Sequence, residues 1–361
     1  MGDNTKGISS PEKPFYPDGS WLSDNESPLV SIIVLTLNSE PFIFRCLSSL
    51  ARQTFERIEV IVVDAGSTDA TKKIVAGFEG RFKFFELQKS SMGDARNYGI
   101  SLSRGDFICF LDSDDFFLPN AINRQLEVLR NNVDADVAVC SAWFFRTQDP
   151  TLIGLKRRNL EPSSLLGYLQ GRNHNLSTMM FRRAVFGLGI QFDTGDRGRF
   201  GEEWRLQIRL AIKGVRVLVR DEPLSCVELR TDSHTNWDIQ WKMKESAVET
   251  VSDIVEVLPA SQKNAFSSVE LLDSFRLRLA VALIIGRRLS SAQSVVESLK
   301  LPSNKTIGRL LLVASRIVPA SALRRLLITI WMKKQNRTFV WRRMPIGLDS
   351  VFFELQRLAH R

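Results

Sequence analysis

Cysteine and histidine are scarce in this 361-residue chain, with four of the first and three of the second. Cys46, Cys109, Cys140 and Cys226 are scattered, without Cys-x-x-Cys spacing and mostly in apolar surroundings. That argues against a disulfide frame or a zinc site and for reduced, packing cysteines of a cytosolic protein. With only His174, His234 and His360 available, a histidine-rich metal site is not expected. Long apolar runs are also missing. Arg287-Arg288, Arg316 and Arg324-Arg325 interrupt every candidate of 18 residues, so no membrane span is expected. No secretory signal, internal repeat or low-complexity tract is visible.

What is present supports a large core. Hydrophobic residues make up 44% of the chain, and its length allows two domains. Charge is divided unevenly. Phe275 to Gly347 holds fifteen Lys/Arg and one acid, Glu297, a balance of +14 within a chain of net charge +9. The rest is therefore acidic overall, and two regions with different electrostatic roles follow. Residues 1–28, polar and rich in Pro, Gly, Ser and Asp, read as a disordered tail.

From Val30 the pattern alternates. Strand-like runs at Val30 to Leu37, Ile58 to Val63, Phe82 to Leu87, Phe107 to Leu111 and Val137 to Phe145 are separated by helical stretches. Such alternation predicts a Rossmann-like, mostly parallel central sheet with flanking helices. Ligands of these sheets sit at the carboxyl ends of the strands. Thr36, Asn38, Glu40, Asp64, Gly66 and the run Asp112-Ser113-Asp114-Asp115 all fall there. Three carboxylates within four residues at the mouth of a buried strand cost free energy unless a cation joins them. Mg²⁺ or Mn²⁺, held by one or two carboxylates plus substrate phosphates, suits them best. A polar turn, with Asp115 or Ser113 capping the next helix, is the plainer alternative.

The ordered set Val-Ser-Ile-Ile-Val-Leu-Thr-Leu-Asn (30–38), Val-Val-Asp-Ala-Gly-Ser-Thr-Asp (62–69), Gly-Asp-Ala-Arg-Asn-Tyr-Gly-Ile (93–100) and Phe-Leu-Asp-Ser-Asp-Asp (110–115) resembles the family 2 glycosyltransferases of the GT-A fold. The likeness covers about residues 29–235. It implies a catalytic domain over 29–238, followed at 239–361 by a basic α-helical C-terminal region outside the likeness. It also implies an inverting, metal-dependent transfer from a nucleotide sugar, a UDP-sugar in the first instance, to a hydroxyl of a glycan or lipid-linked acceptor. In that family Thr36, Asn38, Glu40, Asp64, Gly66, Arg96 and Asp112 would hold the nucleotide, and Asp114 the Mn²⁺ or Mg²⁺. The second of two consecutive acids often found after the second strand is Ala65 here. The general base matches Glu203 in Phe200-Gly201-Glu202-Glu203-Trp204, as Glu where Asp is usual, with Glu202 or Asp196 as alternative candidates. The plainer reading of these acids is a helix start favoured by the macrodipole. For Arg96 it is a surface salt bridge.

Arg230 and His234 are the candidates for a loop closing on the diphosphate, and His174 and Asn175 for the acceptor pocket; a solvated loop and a turn are the alternatives. Beyond residue 240 the helical stretches carry basic polar faces. They predict contact with an anionic membrane surface on the cytoplasmic side, in cell-surface polysaccharide or glycolipid synthesis, or else self-packing. No recognisable nucleic-acid module frames these charges. The Thr36 to Pro41 segment also lacks the Gly-rich phosphate loop a nucleotidyltransferase would want. A non-catalytic, nucleotide-sugar-binding scaffold or sensor is the alternative function.

Overall fold

The computed structural model describes residues 28–88, 90–146, 149–156, 164–169, 173–229, 237–258, 267–317, 322 and 339–343. Ten strands and eleven helices of four or more residues occur among them.

The strands are β1 (Val30–Thr36), β2 (Ile58–Asp64), β3 (Phe82–Glu86), β4 (Phe107–Asp112), β5 (Phe116–Phe117), β6 (Val137–Arg146), β7 (Asp149–Lys156), β8 (Met179–Arg182), β9 (Val217–Glu228) and β10 (Phe339–Arg343). Seven helices belong to the N-terminal part: α1 (Glu40–Ala51), α2 (Thr71–Val75), α3 (Met92–Leu102), α4 (Ala121–Asn131), α5 (Leu165–Leu169), α6 (Ala184–Gly187) and α7 (Glu202–Ile212). Four follow: α8 (Trp237–Val257), α9 (Ser268–Ile285), α10 (Leu289–Glu297) and α11 (Pro302–Ile317).

The sheet runs β10-β7-β6-β8-β4-β1-β2-β3, and β9 pairs with both β6 and β5. Its N-terminal part, β4-β1-β2-β3, is parallel, as the alternating sequence predicts. Beyond β4 the sheet turns antiparallel, because β8 inserts between β4 and β6 and opposes both. Four-residue β8 sits in the short apolar run Leu176 to Phe181, which periodicity alone leaves ambiguous.

Alternation along β1 divides the core. Val30, Ile32 and Val34 face one apolar layer with Ile43, Cys46 and Leu47 of α1 and Leu126 of α4. Ile33 faces the other, with Ala95 of α3 and Leu206 and Leu210 of α7. Helix α3 lies close on the sheet at Gly99, where an added Cβ would meet the Ile33 side chain at 2.4 Å. A capping box between Ser91 and Asp94 starts that helix and so sets its phase, which turns Arg96 inward.

The C-terminal helices build a core of their own from Leu279, Leu283, Ala292, Val296 and Leu312. They also dock on the sheet domain. Val251, Ile254, Leu271 and Phe275 pack with Tyr168 and Leu169 of α5 and Ile208 of α7, and Trp204 stacks on Phe275 with ring centroids 5.7 Å apart. Strand β10, within the stretch expected to be helical, returns to pair with β7. Among the described residues no helix is long and apolar enough to cross a membrane.

Candidate active site

The sheet itself assembles the polar strand ends. Thr36 at the end of β1 sits in register with Asp64 at the end of β2, and Leu35 with Asp112 at the end of β4. Just above them, Asn38 takes φ +48° and its side-chain oxygen accepts from the Thr68 amide at 2.9 Å. Glu40 accepts from the Ala70 amide, and Asp64 accepts from the amides of Gly66 and Ser67 and from the Ser67 hydroxyl. These groups tie the loop after β1 to the loop after β2. Thr36 differs: its hydroxyl oxygen is buried without a partner, an orphan at the strand mouth that a ligand could satisfy.

Arg96 is the hub. Its guanidinium is buried and donates to Asp112 at 3.0 Å, to Glu203 at 2.8 Å and to Glu202. The Phe192 ring lies beneath it at 5.4 Å. Burial alone would lower its pKa, but the carboxylates of Glu203, Asp112 and Glu202 outweigh that and hold it firmly charged. The plainer alternative of a surface salt bridge does not hold, since Arg96 is 1% exposed. One cation facing three carboxylates leaves the cluster net negative. Burial accordingly pushes Glu203 up to about 8, against the pull of Arg96 and with Asp112 and Glu202 adding to the rise. A quarter of the Glu203 side chain remains exposed.

Local sequence explains this placement. Gly201 caps α7 at φ +71°, a left-handed conformation, and the next two residues are the acids. Helix α7 is then fixed from behind by Arg205 and Arg209, which both grip Asp193, while the Arg205 guanidinium donates to Ser246 of α8 at 2.7 Å. Asp196 is not part of the cluster. Its side chain is 99% exposed and pairs with Arg199.

The acidic run divides its labour. Asp112 and Asp114 stay partly exposed at the mouth of β4, whereas Asp115 is buried. Asp115 accepts from the Ser177 hydroxyl at 2.7 Å and from the Glu228 amide at 3.1 Å. Burial, with Asp114 and Asp112 beside it, pushes Asp115 well above the usual carboxylate range. Beneath the turn, Arg45 of α1 donates to the Asp114 carbonyl at 2.6 Å and to Glu228 at 2.7 Å, sandwiched by Phe116 and Phe145. Arg45, Glu228 and Ser177 are missing from any reading of the sequence as motifs. The only signal available was a charged residue inside the apolar face of α1.

These donors fit a shared cation and do not form a closed cage. Among the described residues no group of three or more His, Cys, Asp or Glu side chains could hold a metal alone. Asp114, with Asp112 beside it, offers the one or two carboxylates that Mg²⁺ or Mn²⁺ needs when substrate phosphates complete its shell.

Beside α7, His174 is buried with its backbone exchanging bonds with the Gln207 amide, and its ring meets Tyr168 edge-on at 6.1 Å. The Asn175 side chain caps the Leu176–Thr178 turn by accepting from the Ser177 amide. The structure therefore uses Asn175 to aim Ser177 at Asp115. Arg230 and His234 lie outside the described residues.

Residues 31–188 match the family model for glycosyl transferase family 2. Over that segment, somewhat under half of the chain, the sequence is similar to family 2 glycosyl transferases. A putative glycosyltransferase, EpsH, of Bacillus subtilis is 38% identical over 119 residues, which are 32% of this chain and 34% of that protein. An uncharacterized glycosyltransferase of Rickettsia typhi is 35% identical over 113 residues, 31% of this chain and 36% of that protein. The chain thus spans about a third of the length of these relatives. The crystal structure of S. aureus TarS 1–349 in complex with UDP-GlcNAc superimposes with a TM-score of 0.54 at 18% identity, covering 80% of this chain and 91% of that one. The likeness is one of fold, and it covers more of the chain than the family match does.

Proposed function

We propose that the chain is an inverting, divalent-metal-dependent glycosyltransferase that moves a sugar from a nucleotide diphosphate sugar, a UDP-sugar in the first instance, to a hydroxyl acceptor. The observation that carries this reading is the convergence of Asp112, Glu202 and Glu203 on the buried Arg96, at the carboxyl ends of β1, β2 and β4. Support comes also from the TarS complex with UDP-GlcNAc and from a Pyrobaculum calidifontis mannosyltransferase solved with GDP-Man and Mn²⁺, which shares the fold at TM-score 0.50 and 13% identity.

In this reading the Glu203 carboxylate takes the proton of the attacking hydroxyl, and its raised pKa suits a base working near neutrality. Arg96 holds Glu203 and Asp112 at fixed spacing from within the fold. Asp112 meets the ribose, and the orphan Thr36 hydroxyl, Asp64 and the loop beside them receive the base. Asp114 would hold the cation with the diphosphate, and that ion supplies electrostatic stabilisation of the leaving group. Arg230 and His234 would close over the diphosphate, and His174 and Asn175 border the acceptor. We place the protein on the cytoplasmic face of the membrane as a peripheral enzyme of cell-surface polysaccharide or glycolipid synthesis. Helix α11 supports that with exposed Ile307, Leu310 and Val313 beside exposed Arg309 and Arg316.

One observation favours a second reading. Glu203 is bonded to Arg96, so its carboxylate is occupied, as in a relative that binds nucleotide sugars without turnover. Release of nucleoside diphosphate from a panel of nucleotide sugars, with Mn²⁺ or EDTA, separates the two. Metal-dependent release, even by slow hydrolysis, is expected; tight donor binding with no release under any acceptor would leave only the scaffold.

A further inference from the structure

Helix α7 has two packed sides. Leu206 and Leu210 enter an apolar layer of the sheet domain, whereas Trp204 and Ile208 meet α8 and α9. The polar and aromatic contacts from the C-terminal helices gather at the first turn, which carries Glu202 and Glu203. Trp204 stacks on Phe275 of α9 with ring centroids 5.7 Å apart, and its indole N–H donates to the Tyr168 carbonyl at 2.7 Å. Arg205, 3% exposed, donates to the Ser246 hydroxyl of α8 at 2.7 Å, and that hydroxyl donates on to the Phe200 carbonyl at 3.4 Å. The same guanidinium engages Asp193 and the Arg197 carbonyl, and its Nη1 stands 3.5 Å from where a Cβ on Gly201 would lie. The left-handed cap of α7 is thus backed by a buried cation that α8 helps to hold. Arg197 and Asp253 also join this loop to α8, but both are more than half exposed and add little. By contrast Ile212, at the far end of α7, is 43% exposed.

A base must be held at both ends. Arg96 fixes the carboxylate of Glu203 at 2.8 Å, but its backbone goes where the first turn of α7 goes. Displacing a reacting group by about 1 Å can cost on the order of a hundredfold in rate, so the seat of that turn matters to turnover and not only to stability. We propose that Ser246 of α8 and Phe275 of α9 are positioning residues for Glu203, which makes the C-terminal helices part of the catalytic unit. The proposal rests on the reading of Glu203 as the base. Ser246 acts through hydrogen bonds on two sides, accepting from Arg205 and donating to Phe200. Phe275 acts through the ring of Trp204, the residue after the base.

The test uses the full chain with Ser246→Ala, Ser246→Thr and Phe275→Leu, the last of which keeps apolar volume while removing the stack. Turnover is followed as UDP released from a UDP-sugar with Mn²⁺, and UDP affinity by calorimetry. Ser246→Ala and Phe275→Leu should lower kcat roughly tenfold or more, with donor KM and UDP affinity within about twofold of the parent. Ser246→Thr, which keeps the hydroxyl, should recover most of the loss. In a Glu203→Gln background, Ser246→Ala should lower the residual turnover no further, because its effect passes through the base. Parental kcat in both Ser246→Ala and Phe275→Leu, UDP affinity falling in step with kcat, or an equal loss in both backgrounds overturns the proposal. Parental turnover by Glu203→Gln alone is a different result; it removes the base assignment, and this proposal with it. Hydrogen exchange with UDP and Mn²⁺ present supplies a readout that needs no turnover. Amides of residues 201–206 should exchange about tenfold faster in Ser246→Ala than in the parent, with β1 and β2 unchanged. Exchange equal to the parent, or faster throughout the sheet, overturns the positioning role. If Phe275→Leu melts too low to assay, the two Ser246 variants decide the matter.

Discussion

At the scale of residues, the site turns on unequal burial of like groups. Glu203, pushed up to about 8, is the group whose charge state sets activity in the proposed mechanism. A base must be deprotonated, so kcat/KM should rise with pH through a limb near 8 and level off above it; a flat profile between pH 6 and 9 would count against Glu203. Stability should move the other way. The fold favours the protonated form, so the unfolded chain loses its proton first, and stability falls as pH rises from the ordinary carboxylate range toward 8. Glu203→Gln should remove that slope, keep UDP affinity within a few fold and reduce turnover by about 10²–10⁴. If Glu202→Gln is dead and Glu203→Gln active, the role passes to the neighbour. Asp114→Asn should melt like the parent yet lose the Mn²⁺ dependence of UDP binding, read by titrating UDP with and without the ion. Arg45→Met tests the support beneath the run. It removes the buried cation paired with Glu228, which should lower stability by about 3–5 kcal/mol in urea denaturation. Partial rescue is expected from pairing it with Glu228→Gln, and additive losses would show that the two are not coupled.

Elements were legible where one physical signal dominated. The runs at β1, β2 and β4 are apolar on both faces, as buried parallel strands must be, and each stops at a polar residue. The acids after Gly201 and the inward turn of Arg96 could be anticipated from motif order. Two-residue β5 and four-residue β8 were not, because their pairing is decided by distant partners and not by local periodicity. Likewise Asn38 and Glu40, read as ligands of the nucleotide, are seen bracing one loop against another through backbone amides. Sequence spacing cannot tell a side chain that binds a ligand from one that shapes the loop binding it. Ser177 and Glu228 became visible only once β4, β9 and the Leu176–Thr178 turn were brought to one point around Asp115.

For the molecule as a whole, the basic C-terminal region splits into a described helical part that packs on α5 and α7 and a remainder whose charges were read from sequence alone. Self-packing and membrane contact are therefore compatible roles of different faces. Reversing Arg324, Arg325, Lys333 and Lys334 to Glu should abolish flotation with anionic vesicles at low salt while leaving the melting temperature near that of the parent. Flotation equal to the parent would remove the membrane from the proposal. The docking of α8 and α9 on α7 also means that deleting everything after residue 240 should expose Ile208 and Trp204 and cost solubility, so charge reversal is the cleaner experiment. Finally, β10 gives the molecule a timetable. Its pairing of Phe339 with Lys156 spans about half the chain, so the ribosome must make the whole helical region before the edge of the sheet can be covered. At 5–20 residues per second β7 waits on the order of ten seconds or longer with its outer hydrogen-bonding groups bare. During synthesis the open edge is where a chaperone would be needed, or where two nascent copies would find each other.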